Sequence, residues 1–175
     1  MPTEAHPLES ILYEVVRNTY ESRLGFSDPE IVAYVARVLC EFSEPDALFP
    51  LRDEDGRRIE DVDEMVRASD PVFGTARSFD TERGIRKYIG DYAMFAAGMC
   101  REILRPGMDT TQQGPTLEEL IRVGKESYFI VSQFTLSEYE DEAPLFARLA
   151  ESFERCVLGL ALVREEMGER IRRRR

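Results

Sequence analysis

The stretch GIRKYIGDYAMFAAGMC, Gly84 to Cys100, decides how the rest of the chain is read. Ile85, Ile89, Tyr92, Ala96 and Met99 recur at helical spacing, and Ile103 continues the row. At about 100° per residue, Gly90, Ala93 and Ala97 widen this apolar stripe on one side, and Tyr88 and Phe95 widen it on the other. Asp91 falls just beyond Phe95, near Gly84, Lys87, Gly98 and Glu102. The wheel therefore places its carboxylate at the rim of the buried face. Lys87 stands four residues before it, in the weaker orientation for a helical ion pair, worth about 0.3 kcal/mol. An off-helix cation is the better-matched partner, and Arg122 and Lys125 are the candidates. The functional alternative is a carboxylate facing a pocket edged by Tyr88, Tyr92, Lys125 and Tyr128.

Working outward, a helix over about 81–104 with Asp80 as its cap accounts for this segment. Downstream, RPGMDTTQQGP breaks the pattern with Pro106, Gly107, Gly114 and Pro115. TLEELIRVGKESYFIVSQF restarts it, with Thr116 and Glu119 forming a capping box. Leu117, Leu120, Gly124, Tyr128 and Val131 share one face there, with Gly124 near its middle. Glycine costs a helix up to about 1 kcal/mol, so a close helix crossing is expected at Gly124. Ser127, at the edge of the face, can bond back to the carbonyl of Val123. The last helix is expected over about 143–171, on the stripe Leu145, Leu149, Phe153, Cys156, Leu160, Val163, Met167 and Ile171.

Upstream, a first helix covers about 8–22 and stops at Gly25. A second starts at SDPEIVAYVARVLCEF, where Asp28 caps, Pro29 suits the first turn and Glu30 meets the positive dipole end. Between about 43 and 78 lie Pro45, Pro50 and Pro71, with a hairpin expected around 48–60, turning at Asp55-Gly56, and a short helix over about 60–68. The expectation is a mainly α fold: one domain, residues 1–175, in which five long helices and one short one pack as a bundle, with that small β-hairpin and a basic C-terminal tail at 170–175.

The chain has 175 residues, enough for a real core without disulfide or metal staples. Cys40, Cys100 and Cys156 are far apart and form no CxxC pair, so reduced thiols and a cytoplasmic location are expected. MPTEAHPLES lacks the basic-then-apolar pattern of a secretory signal, and no apolar run approaches a membrane span. A net charge of −11 opposes affinity for nucleic acid or anionic membranes. Arg170 and Arg172 to Arg175 reverse that sign locally, either as a contact for an acidic partner or as a cationic helix end that complements the macrodipole.

The spacing of residues argues against the usual catalytic and metal constellations. His6 is the one histidine, which removes the Glu-x-x-His pairs of di-iron bundles and any Ser-His or Cys-His base. RDEDGRRIEDVDE fails as a calcium loop: with Gly56 at position six, Leu51 and Val62 occupy ligand positions. GMDTTQQGP lacks the lysine and glycine spacing of a phosphate loop. No metal or cofactor is expected.

IGDYAMFAAGM, an IGDYxxFxxG-like segment, followed by GKESYFIVSQF resembles a group of bacterial helical proteins with no assigned activity. The resemblance covers about residues 84–134. It implies a helical fold, supplies no catalytic residue, and draws attention to Gly90, Asp91, Tyr92, Gly124, Ser127 and Tyr128 as a set.

Three functional readings follow. The first is a non-catalytic interaction or regulatory module that binds a protein partner, or a second copy in a homodimer, through its helices or its arginine tail. The second is a bundle that holds a small molecule in an apolar, aromatic pocket. Asp91, Tyr92, Phe95, Lys125 and Tyr128 are its candidate ligand-binding residues, joined by Met94, Met99 and Phe134 in the lining. The third is an enzyme using carboxylate and tyrosine groups.

Overall fold

The computed structural model describes residues 7–107 and 111–173; His6, Arg174 and Arg175 lie outside the described residues. Seven α-helices form among them: α1 (Pro7–Leu24), α2 (Pro29–Phe42), α3 (Val62–Ala68), α4 (Phe79–Met99), α5 (Leu117–Ser132), α6 (Ala143–Glu151) and α7 (Phe153–Arg173). Short 3-10 turns follow α2, α4 and α5. None of the described helices is long and apolar enough to cross a membrane.

The helices start where their sequences provide caps. Asp28 accepts from the backbone amides of Glu30 and Ile31 at the head of α2, and Thr116 and Glu119 complete a reciprocal capping box on α5. α1 stops before Gly25, whose φ of 59° turns the chain so that the amide of Phe26 reaches back to the carbonyl of Tyr20. The cap of α4 is Ser78, which accepts from the amide of Thr81; Asp80 lies inside the first turn, not at the cap. α4 also stops earlier than its stripe suggests, at Cys100, where φ −118° and ψ 52° leave the helical region.

The expected last helix is two helices. The chain breaks at Ser152 (φ −96°, ψ 10°), so the described residues form seven helices, with α3 and α6 both short, where five long and one short were expected. The stripe Leu149, Phe153, Cys156 runs through the break without a change of phase, which is why periodicity misses it. Beyond the break, Phe153 enters the notch at Gly124: a Cβ added to Gly124 would stand 2.1 Å from its Cζ. The close crossing expected at Gly124 is thus made by an aromatic ring.

No β-strand forms among the described residues. At 51–59 there is a tight loop with one antiparallel bridge, Arg52 to Arg58, turning through Gly56 at φ 79°. The amide of Asp53 donates to Arg57 and that of Ile59 to Leu51. Asp53 also accepts from the amides of Asp55 and Arg57, so side-chain bonds replace a longer ladder.

α4 is the axis. It packs against α2, α3, α5 and α7, while α1 lies between α2 and α7, and α6 covers α5. One hydrophobic core joins them. Tyr34, Tyr128, Phe146 and Phe153 form its aromatic centre, with ring centroids 5.5–6.2 Å apart in mostly edge-on or tilted pairs.

Candidate functional site

Because α4 has neighbours on several sides, its buried arc is wider than one amphipathic stripe, and Asp91 is inside it. The residue is 3% exposed, which corrects the rim position read from the wheel. Its partners differ from those expected as well. Tyr34 on α2 and Tyr128 on α5 each donate a phenolic hydrogen bond to the same carboxylate oxygen, at 2.5 and 2.7 Å. Lys87 Nζ meets the second oxygen at 2.9 Å. Lys125 instead pairs with Glu154 at 2.7 Å, and Arg122 with Glu126 at 3.6 Å.

Gly90 makes this geometry attainable. A Cβ there would lie 2.3 Å from Tyr128 Cε1, so the absence of a side chain lets the phenol ring lie flat on α4 and reach the next residue. Burial pushes the Tyr34 and Tyr128 phenols well above their ordinary value, and the Asp91 charge adds to it. Both therefore remain neutral donors at physiological pH. Lys87 also stands 5.4 Å from the Tyr34 ring centre, with Arg37 at 4.9 Å. Asp91 thus ties α2, α4 and α5 together through two phenols, with a cation from its own helix.

Of the residues singled out in the sequence, the structure brings Asp91 and Tyr128 together. Tyr92 and Phe95 face elsewhere: Tyr92 stacks on Tyr88 and packs on Phe49, and Phe95 stacks on Phe42 at 5.1 Å. Asp91 borders a depression of about 270 Å3 with Phe42, Lys87 and Tyr88, whereas Lys125 borders a different one beside Phe129. Ser127 is fully buried, and its hydroxyl has no partner among the described residues, so the back-bond to Val123 is not made. Tyr34 was missed: it reads as one more stripe residue of α2, and nothing local marks its hydroxyl.

A cavity lies away from Asp91, where the start of α4 meets the end of α5. It has a volume of about 590 Å3 and is lined by Phe79, Ile130, Phe134, Leu136 and Tyr139, with Asp80 and Glu138 at its edge. Leu136 is 82% exposed and Phe79 74%. Gln133 belongs to this groove and also to an adjoining cleft of about 470 Å3 that holds Phe129, Ala147 and Ala150. The two meet at the exposed side chain of Gln133 and make a mostly apolar track, its first reach at the end of α5 and its second between α5 and α6.

The connector after α5 is held in a specific shape. Ser137 has φ 55°, a left-handed conformation unusual for a side-chain-bearing residue. Tyr139 donates to Asp80 at 3.0 Å, and Arg83 stacks over the Tyr139 ring at 4.0 Å while pairing with Glu142 at 2.5 Å. The sequence signal for the groove was slight: Phe134 and Leu136 sit in FTLSEY, apolar residues with no helical period to bury them.

No grouping of three or more His, Cys, Asp or Glu side chains suited to a metal ion occurs among the described residues. The class defined by this architecture is an all-α bundle with a buried carboxylate–tyrosine tie and an open apolar track. Comparison with protein-family models, curated proteins and solved structures finds no match for the chain.

Proposed function

We propose that the protein is a non-catalytic interaction module whose apolar track takes a segment of another protein. One observation carries this reading: large apolar side chains, Phe79, Phe129 and Leu136, stand exposed along two adjoining hollows instead of entering the core. Large exposed apolar surface on a folded chain is a recurrent mark of an interaction site, and a track of this form suits a helix laid in a groove. The fixed connector adds to the case, since a shaped surface costs less to order on binding.

The volume of the groove also falls in the range of small-ligand sites. Such sites enclose most of their ligand, whereas this one opens to solvent over Phe79 and Leu136, so a protein segment is the better occupant. The test is selection from a display library of amphipathic helical peptides. Winners should crosslink at Leu136 and lose binding in Leu136→Asp, a change at an exposed side chain that leaves the fold intact. Winners indifferent to Leu136→Asp would sink the reading. A small molecule that copurifies in native mass spectrometry and leaves on Leu136→Asp would replace it with the ligand reading.

A further inference from the structure

The edge of the track is acidic, and its acids are unevenly matched. Asp80 and Glu138 border the groove, and Glu126 and Glu151 border the adjoining cleft. Glu126 pairs with Arg122. The cation nearest the cleft, Lys125, is engaged by Glu154, and Arg83, beneath Tyr139, is engaged by Glu142. Asp80, Glu138 and Glu151 have no cationic partner among the described residues. Asp80 takes only the Tyr139 hydroxyl. Resting on the interaction reading above, we infer that the segment bound along Phe79, Leu136 and Phe129 is a cationic amphipathic helix, whose apolar stripe enters the track and whose lysines or arginines face Asp80, Glu138 and Glu151.

Complementary charge is the physical ground. An apolar stripe alone would enter the track regardless of flanking charge, whereas unmatched carboxylates along both reaches favour a positive rim and repel a negative one. Each rim pair is exposed and contributes modestly, so the selectivity comes from several acting together and weakens with salt.

The test uses three synthetic helical peptides of about four turns with one leucine stripe and flanking positions filled by Lys, Gln or Glu. Binding to the full chain is measured by fluorescence anisotropy at low and high salt. The Lys peptide should bind at least about tenfold more tightly than the Gln peptide at low salt, with the Glu peptide weakest. Glu138→Lys with Glu151→Lys, both at exposed positions, should remove that advantage while leaving the Gln peptide unchanged. Equal binding of all three overturns the charge inference and leaves the groove reading standing. Binding by none overturns both. A concentration-dependent dimer that dissociates in Leu136→Asp would make a second copy the occupant and overturn the inference of a separate cationic partner.

Discussion

The middle of α4 and its N-terminal end are built from the same materials, aromatic rings and carboxylates, and treat them in opposite ways. Around Asp91 both carboxylate oxygens are engaged, one by two phenols and the other by an ammonium, with rings packed edge-on or tilted around them. At the start of α4 the Phe79 ring and Leu136 stand exposed, and Asp80 and Glu138 lack cations among the described residues. Burial accounts for the difference. A buried carboxylate is costly unless paired and hydrogen-bonded, so an incomplete inner cluster would weaken the fold. Carboxylates at an exposed rim carry no such requirement and remain available to a partner. Closed polar groups hold the bundle together, and open ones are where its chemistry meets other molecules.

The sharpest way to break this contrast is Asp91→Ala. It leaves the Tyr34 and Tyr128 hydroxyls and Lys87 without their acceptor, and a stability loss of about 3–5 kcal/mol is expected in denaturant unfolding. A loss under about 1 kcal/mol would mean that the cluster is not what joins α2, α4 and α5. Gly124→Ala comes next. The added methyl would meet the Phe153 ring at 2.1 Å, and overpacking of this kind costs about 1–3 kcal/mol. The ring belongs to the first residue of α7, so its retreat disturbs the start of that helix, and an unchanged melting temperature would show that the notch is loose.

Alkaline titration probes the same tie with a smaller effect. The Tyr34 and Tyr128 phenols have folded values raised above the ordinary 10.0, chiefly by burial and then by Asp91. A group raised in the folded state stabilises fully below its unfolded value, and that contribution is lost as pH climbs past about 10 toward the folded value. Tyrosinate absorbance from these two residues should appear together with loss of helical circular dichroism. Tyr128→Phe should flatten the stability slope above pH 10 while costing about 1.5 kcal/mol at neutral pH. Ionisation of all seven tyrosines near pH 10 with the helices intact would contradict the buried geometry.

The sequence made the helices readable because caps and stripes are local signals. Asp28, the Thr116–Glu119 box and Gly25 each act within a few residues, and each acts in the structure as its sequence position suggests. Whatever depends on a second element was harder to see. The wheel put Asp91 at the rim because it assumes one buried face, while α4 has neighbours on several. Its main partners, Tyr34 and Tyr128, lie 57 and 37 residues away in the chain, and no local pattern links them. The break at Ser152 was invisible because the apolar stripe passes through it in phase. Glycine gave the best long-range clue: Gly124, mid-stripe and costly to a helix, pointed to a close approach without naming Phe153 as its occupant. The groove left almost no trace, since exposed Phe79 and Leu136 resemble any apolar residues next to a helix end.

The smallest effect sought concerns Ser137, and it asks whether the open region is held open. A left-handed φ costs a side-chain-bearing residue about 1 kcal/mol, and Ser137→Gly removes that cost. Glycine also gives the unfolded chain more freedom, worth a similar amount in the opposite direction, so the net change in stability should stay within about 0.5 kcal/mol. Binding should respond differently. Glycine accepts the native φ of 55° and many other conformations, so the connector that carries Leu136 and Tyr139 would lose part of its fixed shape. Ordering it again on binding then weakens peptide affinity by a few-fold with no contact removed. Ser137→Ala keeps the Cβ and with it the restriction, and should bind like the parent. If Ser137→Gly binds as tightly as Ser137→Ala, the connector's conformation is a by-product of packing and contributes nothing to the groove. If glycine alone weakens binding, the open region is shaped as deliberately as the closed one, with backbone conformation in the place of buried hydrogen bonds.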